Sequence, residues 1–315
     1  MHTILITGGT GLVGKTLSKY LLSKGHTIIV LTRTLPKNNN DAAIQYAAWN
    51  VKKQTIDIAA LQKADYIIHL AGAGVVDKKW TEAYKKEIEE SRTQSSKLIT
   101  DTLKANSHSV KAIISSSAIG WYGEDKKAGF AFTEDDPADK GFLGQVCQLW
   151  EDSIEPATAL GIRVCRLRTG IVLSNDGGAL AEFKKPVRLG VAGILGSGKQ
   201  MVSWIHINDL CRMFLHAIEN AAIHGSYNAV APAPVSNKEL TIKLAQQIKG
   251  RFYIPLHVPP FILKLMMGSR STEVLKSTTV SCTKIKNEGF TFLYPSIDAA
   301  LNELAGKNKA VTNQH

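Results

Sequence analysis

The chain has little material for metal or disulfide chemistry. Its four cysteines, Cys147, Cys165, Cys211 and Cys282, stand far apart, and no C-x-x-C pair occurs. That excludes the common zinc spacings and a disulfide framework, so no metal site is expected and the thiols read as reduced. No apolar run approaches the roughly 20 residues that span a bilayer. The opening M-H-T-I-L-I-T-G-G has no basic stretch and meets glycines too early for a secretory leader. The expectation is cytoplasmic residence and no membrane partner. Net charge is +11, yet no five basic residues follow one another. Scattered cations on a solvated surface, plus an anionic small ligand, account for the excess, and no nucleic-acid partner is expected.

What is present points to a packed α/β protein. The 315 residues are 44% hydrophobic and 21% charged, enough for a large core. Apolar β-rich runs at 3–7 and 27–32 flank a helical pattern over 12–23, which makes one βαβ unit. Further strands are read at 44–49, 64–70, 110–115 and 163–168, with helices at 80–105 and 142–160 between them. Strands alternating with helices, and apolar on both faces, predict a doubly wound parallel sheet of Rossmann type. After about residue 173 glycines cluster. A helix over 208–220 and a strand over 226–230 are expected to return to the sheet, and an amphipathic helix to cover 237–249. The division expected is a dinucleotide-binding domain over 1–172, rejoined by 203–230, and a smaller substrate-side region over 173–315. The latter includes a tail module at 254–301 with a helix near 261–267; a polar loop is expected at 36–41 and a frayed end at 306–315.

The first turn carries the chemistry. Gly8, Gly11 and Gly14 give G-x-x-G-x-x-G between a strand and a helix. There a glycine supplies positive φ, another lets the main chain approach a pyrophosphate, and Gly14 lets the helix pack closely. The helix N-terminus then offers free N–H groups and a positive dipole end to phosphates. Gly8, Thr10, Gly11, Leu12, Val13 and Gly14 are therefore the expected cradle. At the end of the second strand an acidic residue would hold a ribose 2′-hydroxyl; this chain has Thr32-Arg33, which favours a 2′-phosphate and hence NADP(H) over NAD. Gly193-Ile-Leu-Gly-Ser-Gly198-Lys199 begins like a P-loop but continues with Gln200, and no apolar strand is read before it. It is taken as a glycine loop rather than an ATP site.

T-G-G-T-G-L-V-G at 7–14, L-A-G-A-G at 70–74 and S-S-S-A-I-G-W-Y-G at 115–123 resemble the extended short-chain dehydrogenase/reductases. R-T-G-I-V-L at 168–173, W-I-H-I-N-D at 204–209 and G-F-x-F-x-Y-P at 289–295 resemble one atypical branch, the epimerase-like family akin to nucleoside-diphosphate-sugar epimerases, with a C-terminal module of unknown function. The resemblance implies that Leu70, Ala71 and Gly72 pass the adenosine side of the cofactor. It also implies that Glu87 and Arg92 contact the cofactor and that Val172 lies near the nicotinamide.

The same resemblance exposes a gap. Extended relatives use a serine with a Y-x-x-x-K pair. Ser117 matches the serine, but the tyrosine and lysine positions hold Phe142 and Val146. Tyr122 is a candidate acid/base just beyond Ser117. His206 or Asp209 from the second region, and Glu151 or Trp150, are candidates to line the pocket, with Trp204 and His206 on the substrate side. Two readings stay open. One is an NADP(H)-dependent oxidoreductase or epimerase-like enzyme acting on a small polar substrate, such as a nucleotide sugar, with a non-standard acid/base. The other is a catalytically silent NADP(H)-binding sensor or scaffold. A homodimer through the long helices is compatible with either.

Overall fold

The computed structural model describes residues 1–36, 43–127 and 129–305. The polar loop expected after Pro36 and the frayed end expected over 306–315 lie outside the described residues. In chain order the first half contains β1 (Thr3–Thr7), α1 (Leu12–Ser23), β2 (Thr27–Thr32), β3 (Ile44–Asn50), β4 (Thr55–Ile56), α2 (Ile58–Gln62), β5 (Tyr66–His69), α3 (Glu82–Ala105), β6 (Ala112–Ala118), α4 (Phe142–Ile154) and β7 (Arg163–Thr169). The second half contains β8 (Ile171–Leu173), α5 (Ala179–Arg188), β9 (Val191–Leu195), β10 (Met201–Val202), β11 (Trp204–His206), α6 (Ile207–Glu219), β12 (Gly225–Ala229), β13 (Val235–Ser236), α7 (Asn237–Lys249), β14 (Ile254–Val258), α8 (Pro260–Met267), α9 (Ser271–Leu275), α10 (Thr283–Asn287) and α11 (Ile297–Ala305).

Eight strands form the large sheet in the order β12-β7-β6-β5-β1-β2-β3-β4, parallel throughout except for β4. The order reverses between β1 and β5, and a crevice opens at such a switch point beyond the strand carboxyl ends. Alternation sends Ile4, Ile6, Ile28 and Val30 to one face, against Leu17 and Leu21 of α1 and Leu210 and Phe214 of α6. Leu5, Ile29, Ile67 and Ile113 go to the other, against Leu98, Ile99 and Leu103 of α3. Both faces are covered, which is why the strands read as continuous apolar runs.

Most element boundaries shift by a few residues from the sequence reading, and three differences have a plain physical cause. The helix expected over 142–160 ends at Ile154 and continues as a 3-10 segment, Glu155–Leu160, because Pro156 removes a helical N–H. The long helix starts at Glu82 rather than 80, since the Thr81 hydroxyl accepts from Tyr84 N–H and caps it. Residues 193–195, expected in a glycine loop, belong to strand β9, which pairs with β14. No helix follows that loop; Gln200 instead donates to the Leu195 carbonyl, so the P-loop geometry is absent.

A second core joins α5, α7 and α11 around Leu180, Trp204, Leu240, Leu244 and Leu301. It is locked to the sheet by the two late motifs, which turn out to be partners. Asp209, fully buried, accepts from Leu293 and Tyr294 N–H at 2.9 Å each and from Arg212. His206 stacks on Tyr294 with ring centroids 3.7 Å apart.

Candidate functional site

The glycine turn lies directly against the end of β5. Gly8 has φ 66°, and a Cβ there would sit 2.9 Å from the Leu70 carbonyl. A Cβ on Gly14 would lie 2.4 Å from the Gly8 carbonyl oxygen, so α1 is pressed onto the turn itself. Gly11 is the N-cap of α1, with no side-chain cap and no acidic residue in the first turn. The amides are thus unshielded, and their positive end faces the crevice. Thr10 and Gly11 are exposed, and Leu12 and Val13 half-buried.

The far wall of the crevice comes from the second half of the chain. A Cβ on Gly178 would be 3.1 Å from Leu12 and 3.7 Å from the Val172 carbonyl oxygen, so the β8 segment reaches the mouth of α1. At the other end, Thr32 closes β2 by bonding to Thr34, and Arg33 is exposed with no ion pair among the described residues.

Below the turn sits a buried polar joint. The Thr7 hydroxyl accepts from Leu70 and Ala71 N–H at 3.1 and 3.2 Å, so its own hydrogen goes to His69 Nδ1, 2.7 Å away. His69 Nε2 therefore carries the ring proton and donates towards Ser95 and Ser96 of α3, 3.2 Å away. Burial, aided by the charge of Arg92, pushes the His69 pKa down to about 3. The ring is neutral and fastens β1, β5 and α3 under the crevice.

Arg92 occupies the next layer. Its Nη1 donates to the Ile88 carbonyl, the Trp150 ring centroid lies 4.9 Å from its Cζ, and a Cβ on Gly72 would sit 3.2 Å from the same Cζ. Burial lowers its pKa, and it has no carboxylate partner among the described residues. The Trp150 Nε1 is buried without a hydrogen-bond partner. Glu87 behaves differently: it is exposed and pairs with Lys78 at 3.2 Å.

At the end of β6 the Ser117 hydroxyl donates to Glu151 Oε1 at 2.6 Å. Arg168 grips the same carboxylate with two bonds, Nε to Oε1 at 2.8 Å and Nη2 to Oε2 at 2.9 Å, and Ser226 donates to Oε2. Burial alone would lower the Arg168 pKa; the hydrogen bonds and charge of Glu151 outweigh it and hold the guanidinium above its usual value. Arg168 also lies over Trp121, 3.6 Å from the ring centroid. Sequence reasoning gave Arg168 and Ser226 no role. The one signal was the set of arginines at 163, 166 and 168 within a strand of the sheet, any of which requires a partner if buried.

Several sequence candidates are corrected by this geometry. Tyr122 does not stand at the crevice edge. A 3-10 turn carries it inward, where its hydroxyl donates to Asn228 at 2.6 Å and accepts from Arg168, and burial pushes its pKa up to about 12. Trp204 and His206 are fully buried: the indole donates to the Ala233 carbonyl, and the imidazole bonds Glu303 and accepts from Asn208 N–H to cap α6. Asp209 holds the tail. All three are buried and bonded to other parts of the chain. The Phe142 ring packs on Trp80, and Val146 joins a cluster with Tyr84 and Ile88, so the tyrosine and lysine positions are apolar. Cys147, beneath Gly120, has its thiol pushed up to about 12 by burial and is no nucleophile.

Residues 4–229 match the NAD dependent epimerase/dehydratase family, and 258–304 match a domain of unknown function. An epimerase family protein of Staphylococcus aureus (strain NCTC 8325 / PS 47) is 35% identical over 305 residues, 96% of this chain and 99% of the relative. The crystal structure of a human epimerase family protein with NADPH superposes with a TM-score of 0.83 at 27% identity, covering 96% of this chain and 99% of that one. A nucleoside-diphosphate sugar epimerase from Corynebacterium glutamicum superposes with a TM-score of 0.76 at 32% identity, covering 96% of this chain and 58% of that one.

Proposed function

The chain belongs to the NAD-dependent epimerase/dehydratase family, and from that premise we propose that it binds NADP(H) at the β1–α1 turn and acts on a hydroxyl or carbonyl of a small polar substrate. The observation that carries this reading is the uncapped, acid-free N-terminus of α1 lying against β5. The residues fit the cofactor: Gly8 to Gly14 hold the pyrophosphate, and Arg33, without an ion pair among the described residues, takes the 2′-phosphate. Leu70, Ala71 and Gly72 flank the adenosine side, Arg92 and Val172 the nicotinamide side. The human relative crystallised with NADPH supports the same choice. A bound nicotinamide would supply or accept hydride at the crevice.

The chain's own contribution is proton handling at Ser117. A carboxylate only accepts, so Glu151 commits the Ser117 hydrogen; both residues are buried, and the serine oxygen's lone pairs serve a substrate hydroxyl that enters beside the end of β6. When the substrate hydroxyl is oxidised, its proton passes to Ser117 Oγ while the serine proton passes to Glu151. Arg168 and Ser226 hold that carboxylate in place. A nucleotide sugar is the first substrate to try, given the Corynebacterium relative.

NADPH turnover on a panel of nucleotide sugars and simple carbonyls tests this. Ser117→Ala should lower kcat about 100-fold or more, the scale of general acid–base catalysis, with NADPH affinity intact and partial rescue by Ser117→Thr. Turnover equal to wild type in Ser117→Ala would remove the serine from the mechanism. The apolar cluster around Phe142 and Val146 favours a second reading, a silent NADP(H)-binding sensor or scaffold. Tight NADPH binding without turnover on any of the panel would support it.

A further inference from the structure

The β9–β14 ladder and α8 expose apolar side chains to an unusual degree. Leu189 is 86% exposed, Phe252 87% and Leu265 84%; Ile254, Leu256, Phe261 and Met266 are also exposed. They follow one path. The backbone of Leu189–Gly190 meets Phe252–Ile254, β14 carries Leu256 onward, and Pro259 leads straight into α8. Side chains this exposed stand out from the surface. Contiguous apolar surface of this kind marks a contact site.

Two observations say what it contacts. The first is charge. Neither 183–208 nor 240–272, the segments that build the face, contains an aspartate or glutamate. Arg188, Arg251 and Lys264 are exposed beside the apolar tips and make no ion pair among the described residues. The second is the edge of β14. Ile254 N–H bonds to Gly190 and the Val258 carbonyl accepts from Gly196, so 254, 256 and 258 turn their backbone groups inward, and 255 and 257 turn theirs outward. Pro255 has no N–H to offer there, which blunts the edge against another strand. Protruding apolar tips with a basic rim suit a fluid anionic surface better than a rigid complementary one.

We propose that this face docks the protein on an anionic lipid bilayer, with the apolar tips entering the headgroup boundary and the basic side chains meeting lipid phosphates. No described helix is long and apolar enough to cross a membrane, so the contact is peripheral. The sequence expectation of no membrane partner rested on the missing span. A surface assembled from segments some 60 residues apart gives no such run. The proposal is independent of the dinucleotide crevice.

Co-sedimentation with vesicles of phosphatidylcholine and phosphatidylglycerol (3:1), against phosphatidylcholine alone, tests it on the full chain. Wild type should pellet with the anionic vesicles only, and less as salt rises. Each basic residue near such a surface multiplies partition about fivefold, so Arg188→Glu/Arg251→Glu/Lys264→Glu should lose about 100-fold or more. Leu265→Glu should also release the protein, while circular dichroism and NADPH affinity stay unchanged. Absence of wild-type pelleting with anionic vesicles overturns the proposal. So does a dimer in light scattering that Leu265→Glu dissolves with no vesicle binding, which would give the face to a second copy of the chain.

Discussion

Arg33 and Ser117 show how differently single residues declare themselves. Arg33 needs no partner to be read: it stands where relatives binding a free ribose would carry an acid, and it remains exposed at the end of β2. Arg33→Ala should weaken NADPH binding about 10- to 100-fold, the cost of one charge-assisted contact, and leave NADH unchanged. Fluorescence titration with both cofactors checks this, and equal losses for the two would deny Arg33 its choice of cofactor. Ser117 is legible by motif, but its chemistry is not. Glu151 lies 34 residues away and Arg168 another 17, and only folding brings them within hydrogen-bond reach. Tyr122 shows the reverse. Its place just beyond Ser117 suggests a reachable phenol, and the turn at Ile119–Trp121 buries it.

Among elements, the junction of β1, β5 and α3 is the most consequential. His69 joins all three through Thr7, Ser95 and Ser96. Its folded pKa of about 3 lies below the ordinary histidine value of 6.5. Between those values the unfolded chain binds a proton that the folded ring refuses, so stability is full above pH 6.5 and falls as the pH drops towards 3. The slope is about 1.4 kcal/mol per pH unit for one proton. Urea unfolding of wild type and His69→Gln from pH 7 to 4 should show the variant less stable at pH 7 but flatter by about that slope. Parallel curves would mean His69 is not the neutral, buried ring described. Element types were mostly legible because apolar periodicity is a local property. Strand β9 was not, since Gly193 interrupts its pattern and its partner β14 lies 63 residues on.

At the scale of the whole molecule, the tail is held to the core by many contacts, and one buried set of them gathers at Asp209. Asp209 receives two backbone N–H groups of the tail and Arg212, and Arg212 also reaches the Thr291 carbonyl. Asp209→Ala leaves those N–H groups without an acceptor, and should cost about 3–5 kcal/mol, as for breaking a buried charged contact. Limited proteolysis should then cut within 288–296 well before the sheet, with wild type resistant there. Equal cleavage rates would show that other contacts hold the module. Across the crevice, Arg270 bonds the Val76 carbonyl, so the tail also touches the loop that follows β5.

The sequence by itself determined the parallel sheet, the glycine turn, the lack of a carboxylate at Arg33 and the loss of the tyrosine–lysine pair. Each depends on residue type at a local spacing, and local spacing survives in a string. Tertiary structure alone decided that W-I-H-I-N-D and G-F-T-F-L-Y-P hold each other, that Ser117 answers to Glu151 and Arg168, and that a basic apolar face emerges from two distant segments. Those are matters of burial and of pairing between distant residues, and burial is set by what the chain folds against.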